Sequence, residues 1–223
     1  EPILSSAFED REHTSLQYQM QWESSEQGDS GIHSVLRNLA TDETVEVHSR
    51  YLIAADGAGS RVRTSLGIEM QGPPRIQSFV MIHVGANLRS FVADRLGVLH
   101  FVMDPEASGC FIAHDLDREW VFMQNYDPDV ETEEDFDEAR CLDLVRNAIG
   151  ADAEVELLHR GTWHMSAQVS DRVREGGIFL AGDSAHRFPP TGGLGLNTGM
   201  QDVHGLVWKL AAVETGWAGR EIL

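Results

Sequence analysis

Gly177-Ile178-Phe179-Leu180-Ala181-Gly182-Asp183-Ser184-Ala185-His186-Arg187-Phe188-Pro189-Pro190-Thr191-Gly192-Gly193-Leu194-Gly195-Leu196-Asn197 is the stretch on which the rest of the chain turns. Residues 178–181 form a short apolar run of the kind that fills a buried strand, and Asp183 arrives where the chain leaves it. Pro189 and Pro190 then stiffen a turn rich in glycine, after which a long helix begins. Such a corner offers Asp183 as an acceptor for a ribose-like polyol. It also turns bare backbone N–H groups at the helix start toward an electron-rich ligand.

The helix is expected over about residues 198–215. Val203, Leu206, Val207, Leu210 and Val213 recur as one apolar stripe, and Thr198 with Gln201 three positions on has the pattern of a capping box. Gly216 is a natural stop. Gly199 and Gly205 weaken a helix by up to about 1 kcal/mol each, which suggests that a ligand or a neighbouring backbone comes close there.

A second corner lies upstream. The apolar run 51–55 leads into Asp56-Gly57-Ala58-Gly59-Ser60-Arg61-Val62-Arg63 and a short helix ending near Gly67. Gly57 and Gly59 free the backbone to turn tightly, Asp56 can fix local N–H groups, and Arg61 offers a fork suited to phosphate. Taken alone, this is equally an ordinary strand–turn–helix corner with a structural aspartate.

Around these corners the pattern is mostly sheet. Residues 16–22 alternate with period two, 26–31 read as a turn, 31–39 as a second strand, and 44–55 as a third that runs into a buried sheet. Gln71-Gly72-Pro73-Pro74 marks a boundary. Beyond it, strands are expected at 78–85, 97–103, 110–114, 120–124 and 154–164. A helix over about 133–149 is expected to be opened by Thr132 and closed by Gly150. The chain thus falls into segments 1–72, 73–165 and 166–223.

Composition sets outer limits. At 223 residues, with 42% hydrophobic and 24% charged residues, the chain has the make-up of a globular protein with a sizeable core. A net charge of −19 argues against nucleic acid as a partner. The acids crowded between Asp127 and Glu138 read as a solvated loop and a first helical turn rather than a metal site. Cys110 and Cys141 are too few for a zinc cluster or a disulfide framework, and a reducing cytoplasm fits them. No apolar run is long enough for a membrane span and no signal peptide is visible.

Other chemistries use the same residues. Ser184 with His186 and Asp183 has the residue types of a serine hydrolase, but His186 sits only two positions away and no G-x-S-x-G elbow exists. Gly192-Gly193-Leu194-Gly195 lacks the Gly-Lys-Ser/Thr ending of a nucleotide-triphosphate loop. His114, Tyr126, His159 and His164 are candidates to line a cavity but read more simply as sheet residues, and Trp163 as a core aromatic. Met81, Met103 and Met123 suggest adaptable packing in a core or a pocket wall. No residue is assigned a catalytic role and no metal ligand is expected.

The two corners, in this order around an intervening sheet, resemble the "DG" and "GD" motifs of the single-component FAD-dependent aromatic hydroxylases, the family of p-hydroxybenzoate hydroxylase and phenol hydroxylase. The resemblance implies a mixed α/β architecture. In it a discontinuous FAD-binding domain, built from 1–72 and 166–223, carries an inserted, mostly antiparallel substrate domain at 73–165. It implies that Asp56, Gly57 and Arg61 lie near the flavin pyrophosphate and the entering nicotinamide. Gly182 and Asp183 would meet the ribityl chain, and Pro190 would lie beside the flavin ring with Gly193 in the same turn. Gly195, Leu196 and Asn197 would face the pyrimidine edge. A helix start there stabilises negative charge on reduced flavin by about 0.3–2 kcal/mol, or tens of millivolts at about 30 mV per 1.4 kcal/mol.

The resemblance further implies that NADPH or NADH reduces FAD and that O2 adds to give a C4a-hydroperoxide. The distal oxygen then passes to a small phenol-like aromatic, in an enzyme that by family analogy is a homodimer. One departure stands out: the sequence opens on Glu1 and shows no early G-x-G-x-x-G unit for the ADP half of FAD. The expectation is therefore the ordered or cloned remainder of a longer enzyme, which by itself binds FAD weakly or not at all. A flavoenzyme of the same fold with other chemistry, a reductase or a halogenase, stays open, although no W-x-W-x-I-P signature is present. So does a non-catalytic ligand-binding fragment.

Overall fold

A computed structural model describes residues 2–9, 11–190 and 192–223. The chain divides into two compact units, Glu1–Gly72 with Gln168–Leu223, and Pro73–Ala167. The first unit begins with helix α1 (Pro2–Glu9), which buries no residue. Strands β1 (Met20–Gly28), β2 (Gly31–Asn38) and β3 (Thr44–Ser49) follow as an antiparallel meander. The first strand starts later than the period-two pattern of 16–22 predicts, because Gln19 takes a positive φ of 58°. It also runs on through polar residues that the pattern gives to a turn, since an antiparallel sheet keeps such residues on its wet face. Gly31 is required at the turn: its φ is +121°, and a Cβ there would lie 2.5 Å from the Ser49 carbonyl oxygen.

The expected strand over 44–55 is in fact two. After Ser49 the chain leaves the meander, and β4 (Leu52–Ala54) enters a different sheet. Helix α2 (Arg61–Ser65) and strand β5 (Met70–Gln71) complete this segment.

In the second unit, β6 (Gln77–Gly85), β7 (Leu99–Val102), β8 (Gly109–Asp115), β9 (Glu119–Tyr126) and β10 (Glu156–Met165) form one antiparallel sheet in the order β10-β6-β9-β8-β7. Helix α3 (Glu138–Ile149) covers one face. Alternation puts Val80, Ile82, Val84, Trp120 and Phe122 on that face, packed with Phe111, Phe136, Cys141 and Val145. The single helix expected over 133–149 is interrupted. Thr132 opens only a 3-10 turn, Glu133–Asp135, whose Asp135 carboxylate accepts from the Thr132 N–H at 2.7 Å. Phe136 then breaks helical geometry to enter the core, where it is 2% exposed, and Asp137 caps α3 by accepting from the Arg140 N–H at 2.8 Å. Gly150, with φ of +70°, closes the helix as its position predicts.

The chain then returns to the first unit with β11 (Gln168–Ser170), β12 (Arg174–Glu175), β13 (Ile178–Leu180), β14 (His186–Arg187) and helix α4 (Gly195–Glu214). One small sheet has the order β14-β11-β5 and another β12-β13-β4. In the latter, β13 runs parallel to β4, pairing Ile178 with Leu52, Phe179 with Ile53 and Leu180 with Ala54. All three residues of β13 are buried, as befits a strand covered on both faces. A parallel pair needs a long crossover, and here that crossover contains the whole of Pro73–Ala167.

Helix α4 starts at Gly195, three residues before the expected start, so the capping box at Thr198 and Gln201 is not formed. The Thr198 hydroxyl instead donates to the Leu194 carbonyl one turn back, at 2.9 Å. Its apolar stripe is only partly covered. Leu206, Leu210 and Val213 are half-buried, while Val203 and Val207 are exposed. At its far end Glu214 accepts from Tyr51 Oη at 2.7 Å and pairs with Arg50, and Gly216, with φ of +71°, ends it. Among the described residues no helix is long and apolar enough to cross a membrane.

Candidate functional site

Because β4 and β13 are parallel neighbours, both corners emerge side by side at the carboxyl ends of their strands. That edge is where open α/β sheets bind ligands. At the first corner, Gly57 takes φ of +81°, its carbonyl accepts from the Ser60 N–H at 3.0 Å, and Asp56 accepts from the Val62 N–H at 3.2 Å. Ser60 caps α2 through the Arg63 N–H at 3.0 Å. Arg63 itself is buried. It donates from Nη1 to the Ser184 carbonyl and from Nη2 to the Ala58 carbonyl, each at 3.0 Å, and so ties one corner to the other. Burial, followed by the nearby Arg187, lowers its pKa against the opposing pull of Asp56.

The second corner is a 3-10 turn, Gly182–Ser184, entered at Gly182 with φ of +59°. The fully buried Ser184 has its Oγ 2.7 Å from the carbonyls of both Ala54 and Ala181, and it accepts from the Ala181 N–H at 3.0 Å. The turn is held against α4 in two ways. Gly199 passes so close that a Cβ on it would lie 3.4 Å from the Gly182 Cα. In addition, Asp202 Oδ2 accepts from the Gly182 N–H at 2.9 Å and from His186 Nε2 at 2.6 Å.

Between the corners and the first turns of α4 lies a groove of about 520 Å³, within the range of small-molecule and cofactor sites. Its floor is bare backbone at Gly57, Gly182 and Gly195, one rim carries the Asp183 carboxylate, and its wall is apolar through Leu196, Met200 and Val203. A Cβ at Gly57 or Gly195 would meet no protein atom within 4 Å, so the backbone there faces open space. Of the residues singled out from sequence, the groove gathers Gly57, Gly182, Asp183, Gly195 and Leu196. Asp56 points into its own turn, and Arg61 is exposed at the first position of α2. Pro190, Gly193 and Asn197 lie beside the groove in sequence but are not among the residues that line it. The Gly193 N–H donates to the Pro190 carbonyl at 2.9 Å; Thr191 lies outside the described residues.

Several sequence-level alternatives are resolved by this geometry. Ser184 is sealed among backbone carbonyls and His186 is bonded to Asp202, so the two do not form a nucleophile–base pair. In the second unit His164 Nδ1 lies 3.0 Å from Ser78 Oγ, Tyr126 packs edge-on to Phe136, and Trp163 stacks on Phe79 at 4.9 Å. Met103 is 87% exposed and is not a core residue. His83, His114 and Glu119 meet on the sheet, with His83 Nε2 2.8 Å from the Glu119 carboxylate, a cluster no local spacing announces. Sequence reasoning also missed Arg63, Asp202 and Met200. Helical spacing could have found the last two: Asp202 follows Gly199 by three positions, and Met200 lies one turn beyond Leu196.

Comparison with known proteins places this geometry in context. The family described as FAD binding domain matches residues 1–223. Aklavinone 12-hydroxylase DnrF of Streptomyces peucetius subsp. caesius is 36% identical over 225 residues, covering 100% of this chain and 46% of its own. Two solved structures superpose closely. RebC-10x, in a structure described as native and K252c bound, does so with a TM-score of 0.87 at 34% identity, over 100% of this chain and 42% of that one. A ternary complex of aklavinone-11 hydroxylase with FAD and aklavinone does so with a TM-score of 0.79 at 34% identity, over 90% of this chain and 38% of that one. The chain therefore spans less than half the length of these relatives.

Proposed function

The chain belongs to the FAD binding domain family, and we propose that it serves in a flavoprotein monooxygenase that uses NADPH or NADH and O2 to hydroxylate a phenol-like aromatic. The observation that carries this is the parallel pairing of β4 with β13, which opens the Gly57 and Gly182-Asp183 corners onto one groove. Asp183 is placed to accept hydrogen bonds from the flavin's polyol tail. Leu196, Met200 and Val203 offer an apolar wall to its ring, and the bare glycines let the cofactor approach the backbone. The first turn of α4, whose N–H groups have no intrahelical partner, brings a positive dipole end to the ring's electron-rich edge. Arg61 is the exposed cation at the first corner suited to a pyrophosphate. When bound, the flavin supplies the redox chemistry and the activation of O2; these residues hold and orient it.

In this proposal Glu1–Gly72 with Gln168–Leu223 is the flavin-holding part and Pro73–Ala167 the substrate-holding part. Supporting the second role, Met81, Met123, Cys110 and Phe101 line up in register across four strands of the five-stranded sheet. They lie on the face opposite the α3 core, and Met81 and Phe101 are exposed there. An adaptable methionine and aromatic surface suits a planar ring. The aromatic substrate class also draws support from relatives named for hydroxylating aklavinone.

The test uses the full-length enzyme. It should purify with, or be reconstituted to, a visible flavin spectrum. Phenolic aromatics should stimulate NADPH or NADH oxidation and gain one oxygen atom by mass. Flavin binding without stimulation or oxygenated product across a panel of phenols would turn the assignment to reductase or halogenase chemistry.

A further inference from the structure

Asp202 is not marked by any motif, yet it is where α4 and the second corner are joined. One oxygen, Oδ2, accepts from the Gly182 N–H at 2.9 Å and from His186 Nε2 at 2.6 Å. The first donor belongs to the turn that carries Asp183, and the second to β14, which begins two residues after that turn ends. A carboxylate only accepts, so Nε2 carries a proton in this contact. The imidazole is held further by stacking on Phe188, with centroids 5.5 Å apart and planes 14° from parallel. Its Nδ1 is buried without a partner among the described residues, which leaves Asp202 as the group that sets the ring's orientation. Gly182 sits at φ of +59° and faces Gly199 across a gap that a single Cβ would fill. A corner in this backbone region, pressed against a helix, takes its position from whatever fixes the two together.

We propose that Asp202 is a positioning residue for the flavin: acting through the Gly182 N–H and the His186 Nε2–H, it fixes the turn that carries Asp183 and so sets where the cofactor's polyol tail can lie. This rests on the flavin-holding role of the groove and deepens it. Asp202 does not line the groove and touches no cofactor atom in this scheme. Its effect is carried by the adjacent Gly182-Asp183 backbone. A purely structural role predicts lost thermal stability alone, whereas a positioning role predicts a change in how the flavin is held.

FAD is titrated into the apo form of the full-length enzyme, followed by visible circular dichroism of the bound flavin. Asp202→Ala should weaken FAD binding about tenfold to hundredfold and alter the flavin dichroism. Asp202→Asn, whose amide oxygen can still accept both bonds, should restore most of the affinity. Should Asp202→Ala not fold, His186→Phe, which keeps the stacked ring and loses the donor, should still weaken FAD about threefold to tenfold. FAD affinity within about twofold of wild type and unchanged dichroism, in Asp202→Ala or in His186→Phe, would overturn the proposal. If the wild-type enzyme takes up no FAD, the groove assignment fails first. The link itself is then tested by ¹⁵N NMR of His186, where protonated Nε2 shifted in Asp202→Ala supports it and an unshifted signal overturns it.

Discussion

Ser184 Oγ lies 2.7 Å from the carbonyl oxygen of Ala54, a residue 130 positions earlier in the chain, and both residues are buried. The same hydroxyl accepts from the Ala181 N–H. This side chain reinforces the backbone bond from the Ala181 N–H to the Ala54 carbonyl, at 2.9 Å, where the two parallel strands release their corners. Ser184→Ala should destabilise the protein by about 1 kcal/mol through the lost hydroxyl bonds, while the Ala181 N–H keeps its bond to the Ala54 carbonyl. At about 2–4 °C per kcal/mol for a chain of this size, the loss is readable as a lower Tm in a thermal melt.

Asp183 offers the opposite profile. It stands on the groove rim, and its carboxylate makes no hydrogen bond to another described residue. Asp183→Ala should therefore leave the Tm of the apo enzyme unchanged within experimental error. FAD affinity should fall about tenfold to hundredfold, the loss expected for a hydrogen bond to a charged acceptor. Equal FAD affinity in the variant, measured by fluorescence titration, would remove Asp183 from the cofactor site.

The two corners and the long helix α4 are legible in the sequence because their signals are local: an apolar run, a carboxylate, glycines at set offsets, and a 3.6-residue stripe. Legibility fails where tertiary contacts override local pattern. Phe136 splits an otherwise continuous helical segment because it has a place in the core beside Tyr126 and Arg140. The run 44–55 breaks after Ser49 because its two halves pair with different partners, β2 and β13. Arg63 escapes notice for the same reason, since its partner Ser184 lies 121 positions away. Pro190, Gly193 and Asn197 group with the groove by adjacency in sequence, whereas lining a groove depends on which way the first turn of α4 faces.

Glycines separate by their surroundings. Gly205 lies inside α4 with nothing within 4 Å of the position a Cβ would take, so Gly205→Ala should stabilise by up to about 1 kcal/mol through helix propensity. At Gly109 a Cβ would come within 2.5 Å of the Phe122 ring and 2.7 Å of the Met123 carbonyl oxygen. Phe122 is fully buried and has nowhere to move. Gly109→Ala should cost about 1–3 kcal/mol as an overpacked core. Urea unfolding of the two variants should move in opposite directions from wild type; a shift in the same direction would refute this packing.

The two thiols should be quiet. Burial raises the pKa of both Cys141 and Cys110 above the ordinary value of 9.0. Cys141 has no solvent exposure and donates to the Phe136 carbonyl, while Cys110 is half-buried on β8. At neutral pH both are protonated, so alkylation by iodoacetamide should be slow in the folded protein, faster at Cys110, and rapid at both after urea unfolding. A raised folded pKa contributes stability that is fully present below the unfolded thiol's value and is lost as pH rises from there through the folded value. The urea midpoint should accordingly fall as pH rises through the unfolded thiol's range and beyond, and fall less in Cys141→Ala, where that titration is gone. A midpoint that falls equally in wild type and variant would show that Cys141 does not carry the alkaline loss.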